Sequence, residues 1–195
     1  NDDEGDWQNL ATVDQAPRYE AIGRFLATLS PGGSILDVGC GEAVLRNHLP
    51  ITTKYLGIEP SKKAIESARS KCVRDSIVET TAEDFDAKQM QWDCIVFNEM
   101  LYYTRAPLTL LRRYSRLLTP EGIIIVSVYQ KPEPSITHRL WWAVTGKFSN
   151  IRCTKAVLSF MKSSGWTIIG DELVAHPGTS QCWRIIVGRP GACGH

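Results

Sequence analysis

Short apolar runs alternate with stretches of helical spacing along most of the chain, and this alternation constrains the fold more than any other feature. Residues 34–38, 54–58, 76–80 and 93–97 have strand length, and each run ends at a turn or polar residue. Residues 17–29 place Ile22, Phe25, Leu26 and Leu29 at helical spacing and stop at Ser30-Pro31-Gly32-Gly33. Residues 43–49 read as a short helix closed by Pro50, Ser61 as the N-cap of a helix to about Val73, and Pro107 as a first-turn residue of a helix ending near Leu118. Thr119-Pro120-Glu121-Gly122 is a turn into the apolar strand 123–128. Thr154 caps a helix ending near Gly165, and 166–174 and 182–187 are late strands. Strands alternating with helices build a parallel sheet covered on both faces. Ligands of such sheets lie beyond the carboxyl ends of the strands, near the point where strand order reverses. The residues just after each strand are therefore where chemistry is sought.

A chain of 195 residues supports one domain with a real core. Its net charge of +1 lacks the basic excess that nucleic-acid and anionic-membrane binders need, so neither is an expected partner. No apolar run approaches the ~20 residues of a membrane span. The acidic, polar first six residues do not resemble a signal peptide. Cys40, Cys72, Cys94, Cys153, Cys182 and Cys193 form no C-x-x-C pair and no zinc-finger spacing. They read as buried free thiols, which fits a reducing, cytoplasmic setting.

The run Ile35-Leu36-Asp37-Val38-Gly39-Cys40-Gly41-Glu42-Ala43 is the most informative stretch. Two glycines let backbone approach a ligand closely, and the helix expected after them offers free N–H groups. Alone, the pattern suits NAD, a nucleotide or no ligand. Three details narrow it. Val44 stands where a dinucleotide fingerprint has its third glycine. Asp37 directly precedes the glycines, where a carboxylate repels a pyrophosphate and attracts an ammonium by about 4 kcal/mol at ~4 Å, before desolvation. Glu59 ends the second strand, where an acid takes ribose hydroxyls. A ligand with a cationic amino-acid end and a ribose but no phosphate matches S-adenosylmethionine. The plain alternative for either acid is a strand cap.

These residues resemble the glycine-rich motif of class I S-adenosylmethionine-dependent methyltransferases. Leu56-Gly57-Ile58-Glu59 resembles their ribose motif, Thr81-Ala82-Glu83-Asp84-Phe85 their adenine motif, residues 92–104 their fourth-strand motif and Leu118-Thr119-Pro120-Glu121-Gly122 the turn before the fifth strand. The matches run through residues 30–130 in the family's order. The resemblance implies an α/β, Rossmann-like fold: a seven-stranded, mostly parallel sheet with helices on both faces and the last strand antiparallel. It also implies one methyltransferase domain over 1–195, with a helical lid (1–30), a cofactor-binding core (31–128), a substrate-recognition insertion (129–153) and a terminal helix and strands (154–195). The implied cofactor set is Asp37, Gly39, Cys40, Gly41, Glu59 and Pro60 around the first two turns. Ala82 and Glu83 would meet the adenine, and Asn98 and Glu99 the methionine end. Tyr19 would close over the site. Thr81 departs from the Asp of many relatives, so Glu83 or Asp84 can take its place.

Methyl transfer is an in-line displacement that rests largely on positioning and desolvation, and it needs a base only for a protonated acceptor of high pKa. Met100-Leu101-Tyr102-Tyr103 follows the fourth strand, and its Leu-Tyr-Tyr run resembles small-molecule N-methyltransferases of the NodS-like type. Tyr102 and Tyr103 can orient a substrate or hold a cationic amine; otherwise they pack the next helix. In 129–153, His138 is the candidate proton acceptor, its plain alternative being a surface histidine. Trp141 and Trp142 suggest an apolar or aromatic acceptor, and His176 stands in a loop before the last strand. No Asp/Asn cluster suits a hard cation, so no metal is expected. The expected function is methyl transfer to a nitrogen or oxygen of a small metabolite, as in secondary metabolism. Two alternatives stand beside it: a binder of the same cofactor that does not methylate, and a protein methyltransferase.

Overall fold

The computed structural model describes residues 15–71, 76–130, 149–178 and 181–191. Strands and helices alternate as α1 (Ala16–Leu29), β1 (Ser34–Val38), β2 (Lys54–Glu59), α2 (Lys62–Lys71), β3 (Ser76–Glu79), β4 (Trp92–Asn98), α3 (Pro107–Ser115), β5 (Leu118–Tyr129), α4 (Ser149–Ser163), β6 (Thr167–Ala175) and β7 (Cys182–Arg189). The seven strands form one sheet in the order β3-β2-β1-β4-β5-β7-β6. β1 pairs in parallel with β2 on one side and β4 on the other, so strand order reverses at β1. β3 and β5 extend the parallel part, and β7 runs antiparallel to both β5 and β6.

The period of two along each strand splits the core into two layers. Leu36, Val38, Ile95, Phe97, Ile124 and Val126 face the layer that holds Leu111 and Tyr114 of α3 and Val157 and Met161 of α4. Ile35, Tyr55, Cys94, Val96, Ile123 and Ile125 face Tyr19, Ile22 and Leu26 of α1 and Ile65 and Ala68 of α2. Pro17 sits in the first turn of α1, where its missing N–H costs nothing. Ser61 caps α2 as expected, its Oγ accepting from the Ala64 N–H at 3.3 Å.

Three local readings are corrected. Residues 43–49 are not an α-helix: Val44–His48 forms a 3-10 turn entered through Ala43 at φ +55°, a left-handed conformation that breaks regular helix. Residues 119–122 are the bulged start of β5, which pairs Leu118 with Trp92 and Ile123 with Cys94. Thr154 does not cap α4, which begins five residues earlier at Ser149; Thr154 is buried within it. His138, Trp141 and Trp142 lie outside the described residues, as do Cys72 and Cys193. The other four cysteines are free thiols, Cys94 and Cys153 buried and Cys40 and Cys182 partly so.

Candidate active site

Asp37, near the end of β1, is 1% exposed. Its Oδ2 accepts the Tyr55 hydroxyl at 2.7 Å, and its Oδ1 has no hydrogen-bond partner. Burial pushes its pKa up to about 7. The Tyr55 hydrogen bond opposes that rise, Glu59's negative charge adds to it, and Arg18 opposes it weakly. A buried carboxylate with one bare oxygen is costly unless a cation or donor reaches it.

The turn after β1 is built from three left-handed residues, Gly39 (φ +70°), Gly41 (φ +54°) and Ala43. A Cβ at Gly39 would stand 3.0 Å from Met100 Cβ, so both conformation and space demand glycine there. Below the turn, a Cβ at Gly57 would lie 2.6 Å from Cys40 Sγ, so the bare β2 backbone gives Cys40 its seat. The turn's amides are spent internally. Gly39 and Cys40 both donate to the Ile58 carbonyl, Gly41 donates to Glu59 Oε2 at 3.0 Å, and Ala43 donates to the Cys40 carbonyl. With those four amides taken and only a five-residue 3-10 turn following, the loop offers less than the fan of free N–H groups that cradles a pyrophosphate.

Glu59 is buried, and its Oε1 accepts the Ser61 amide at 2.9 Å. Each carboxylate oxygen has two lone-pair directions, so Glu59 braces the turn and still has acceptor capacity. Pro60 beside it is exposed. After β3, Thr81 Oγ1 donates to Asp84 Oδ2 at 2.7 Å and accepts the Asp84 amide, tying those two residues to each other. Glu83 is exposed, and Ala82 is buried. The loop is gripped from α3: Arg113 donates to the carbonyls of Glu83 and Phe85, and Tyr114 donates to the Ala82 carbonyl at 2.9 Å.

At the end of β4, Asn98 Oδ1 accepts the Ser127 hydroxyl at 2.6 Å. Glu99 follows at φ +61°. Its Oε2 accepts the Tyr102 hydroxyl at 2.8 Å and lies 3.6 Å from Arg18 Nη1, whereas its Oε1 has no partner. Burial pushes this carboxyl up to about 7, against the opposing pull of Arg18, Tyr102 and, more weakly, the Tyr129 backbone and the Trp183 side chain. Arg18, itself 1% exposed, lies over the rings of Tyr19 (4.6 Å) and Trp183 (5.5 Å). Tyr19 is buried and stacks on His48, and burial raises its pKa. Tyr103 is 67% exposed, with its ring 4.7 Å from that of Tyr102.

The strand ends thus bring together Asp37, the glycine turn, Glu59, Asn98, Glu99, Tyr19 and Tyr102, with the Ala82 and Glu83 loop at the β3 end. His176 lies past the end of β6, the outermost strand, with β7 and β5 between it and β4. Sequence reasoning missed Arg18, Tyr55, Arg113 and Tyr114. Arg18 had a signal, a cation between apolar residues on the buried stripe of α1.

Comparison with known proteins places the chain among relatives. The family model described as Methyltransferase domain matches residues 14–169. The chain is 30% identical over 110 residues to the ubiquinone biosynthesis O-methyltransferase of Actinobacillus pleuropneumoniae serotype 5b (strain L20), a match covering 51% of this chain and 47% of that protein. It therefore spans about half the length of the curated relatives it matches. The N-methyltransferase NodS from Bradyrhizobium japonicum WM9, solved with S-adenosyl-l-homocysteine, superposes with a TM-score of 0.71 at 18% identity, over 97% of this chain and 93% of that one. The 1,6-didemethyltoxoflavin-N1-methyltransferase of Burkholderia thailandensis gives 0.66 at 16% identity, over 94% and 81%. At these identities the two structures share the fold.

Proposed function

The chain belongs to the methyltransferase-domain family, and from that premise we propose that it transfers a methyl group from S-adenosylmethionine to a nitrogen or oxygen of a small, apolar or aromatic metabolite. The observation that carries this reading is the pairing of Asp37 with a saturated turn. A bare, buried carboxylate oxygen attracts a cation, and a loop whose Gly39, Cys40, Gly41 and Ala43 amides already have partners gives phosphates little to hold.

The residues fit the nucleoside. Asp37 and Asn98 would meet the ammonium, and the spare acceptor positions of Glu59 the ribose hydroxyls. Ala82 and Glu83 would meet the adenine, held in place by Arg113 and Tyr114. Gly39, Cys40 and Gly41 give a backbone wall close to the ligand, Pro60 a rim, and Tyr19 a buried wall on the α1 side. When bound, the cofactor supplies an electrophilic methyl on a sulfonium. The protein contributes alignment of the acceptor and exclusion of water. Residues 1–30 and 129–153 are proposed as the lid and the substrate-recognition segment, with His138 in the latter.

Two measurements test the proposal. Calorimetry should show S-adenosylhomocysteine binding, with NAD and ATP bound far more weakly. Labelled S-adenosylmethionine with a metabolite extract should yield a labelled small molecule. Tight NAD or ATP binding without binding of S-adenosylhomocysteine would refute the site; binding without any labelled product would refute the transferase activity.

A further inference from the structure

The proposed reaction leaves one group of the site without a task. Glu99 holds a carboxylate whose two oxygens have unequal surroundings: Arg18 and Tyr102 both address Oε2, and Oε1 is buried with no well-formed hydrogen bond, the Tyr129 backbone and the Trp183 side chain pulling only weakly on the carboxyl. Its backbone is left-handed, a conformation rare outside glycine and common where function holds a residue in place. Its amide is pinned by donation to the Ser127 carbonyl.

Strand order gives the location a meaning. Asp37, Glu59 and the Ala82 loop follow β1, β2 and β3, on one side of β4. Glu99 follows β4 itself and leans to β5, where its amide bonds Ser127; Arg18 from α1 and Tyr102 from the 3-10 turn after β4 address its carboxylate, with Tyr129 from β5 and Trp183 from β7 beside it. A cation is disfavoured at Glu99, because the Arg18 guanidinium is already beside it. Arg18 acts strongly on Glu99 and only weakly on Asp37. What suits Oε1 is a neutral N–H or O–H donor.

We propose that Glu99 is the proton acceptor for the methylated group, with Arg18 and Tyr102 as positioning residues that hold its carboxylate so that Oε1 faces the acceptor. This rests on the methyl-transfer reading above and moves Glu99 from the methionine end to the acceptor side. The acceptor's lone pair forms the bond to the methyl carbon while the sulfur–carbon bond breaks and its electron pair stays on sulfur. The acceptor's proton passes to Oε1 and then to water. Burial supports the role by raising the carboxyl to about 7, where a base is both ionised and able to take a proton near neutral pH. Tyr102 is pushed far up and stays protonated as the donor to Oε2, and burial also raises Tyr129 and Cys153, so neither supplies charge near neutral pH. Asp37 titrates in the same range, but it belongs to the cofactor end and would register in S-adenosylhomocysteine affinity.

The test compares wild type, Glu99→Gln and Tyr102→Phe in two assays: S-adenosylhomocysteine calorimetry, and labelled methyl transfer into the extract product across pH 5 to 9. Glu99→Gln should bind S-adenosylhomocysteine within about 3-fold of wild type and transfer methyl about 100-fold more slowly or worse, without the acid limb of the profile. Tyr102→Phe keeps the carboxylate but removes a hydrogen bond to its charged form, so its acid limb should move to higher pH. Glu99→Gln turning over like wild type would overturn the role, and so would loss of its S-adenosylhomocysteine binding, which would make Glu99 a cofactor ligand. If Glu99→Gln fails to fold by circular dichroism, an unshifted limb in Tyr102→Phe overturns the role. Wild type that labels nothing removes the methyl-transfer reading together with this one; active wild type beside equally active Glu99→Gln removes only the role of Glu99.

Discussion

Replacing Asp37 by Asn should make the ligand-free protein more stable at alkaline pH while it loses the cofactor. The folded carboxyl titrates at about 7, against 3.8 for a free aspartate. Below the lower value both states are protonated and the group costs nothing. As pH rises between the two values the unfolded chain ionises first, so stability falls, and above the upper value the full penalty applies. The gap from 3.8 to about 7, at ~1.4 kcal/mol per pH unit, sets a ceiling of ~4 kcal/mol. Asn removes that penalty and keeps an oxygen for Tyr55. Its NH2 group falls where Oδ1 now lacks a partner, which costs about 1–3 kcal/mol. The net expectation is a gain of ~1–3 kcal/mol at pH 8 that disappears or reverses at pH 4. Urea unfolding followed by circular dichroism at the two pH values reads it directly. A variant less stable than wild type at pH 8, or an identical difference at both pH values, would refute the claim that the carboxylate is buried and uncompensated.

Other outcomes follow from the same geometry. Gly39→Ala combines a left-handed cost of ~1–2 kcal/mol with a Cβ 3.0 Å from Met100, and should weaken S-adenosylhomocysteine binding at least ~10-fold by calorimetry. Gly57→Ala drives a methyl to 2.6 Å from Cys40 Sγ; it should cost about 1–3 kcal/mol in urea unfolding, and Cys40→Ala in the same chain should restore part of it. Arg113→Ala strips donors from the Glu83 and Phe85 carbonyls. It should weaken S-adenosylhomocysteine binding about 3- to 10-fold, with at most ~1 kcal/mol lost from overall stability.

The sequence carried most of the sheet because its strands are continuous apolar runs closed by turn residues. Residues 34–38 read as a strand and are one, and the glycine pair after them marks the turn at which strand order reverses. Local chemistry misled where two structures satisfy the same residues. Thr154 has the side chain of a cap but sits inside α4, and Pro120-Glu121-Gly122 bulges within β5 without leaving it. Partnerships were harder to read than positions. Tyr55 reaches Asp37 because β1 and β2 pair with Asp37 opposite Gly57, which turns Tyr55 and Asp37 to the same face. That register pairs residues 20 apart in sequence, and neither strand alone announces it. Arg113 and Tyr114 reach the Ala82 loop from α3 for the same kind of reason: the contact is made by the crossover, across about 30 residues of chain.

Several departures from ordinary folding rules meet at the site. Asp37 Oδ1, Glu99 Oε1 and Arg18 Nε are buried without partners, and Ala43 and Glu99 are left-handed without being glycine; Trp92 Nε1 and Arg189 Nε, buried without partners elsewhere, lie on backbone of ordinary handedness. Lys88 and Gln89 are left-handed too, but they stand in an exposed turn where no charge is buried, so strain alone does not mark a site. What distinguishes the strand ends is strain together with uncompensated charge, and a core that needed only stability would have replaced both acids with apolar residues. The two acids are then sorted by one neighbour. Glu99 has Arg18 at 3.6 Å and is left suited to a neutral donor, whereas Asp37 is hydrogen-bonded by a tyrosine hydroxyl, feels Arg18 only weakly and is left suited to a cation. Replacing Arg18 by Met should therefore raise the Glu99 carboxyl further and move the acid limb of methyl transfer to higher pH, with a smaller effect on S-adenosylhomocysteine affinity. An affinity loss larger than the change in the rate profile would mean that the two acids share one cationic ligand after all.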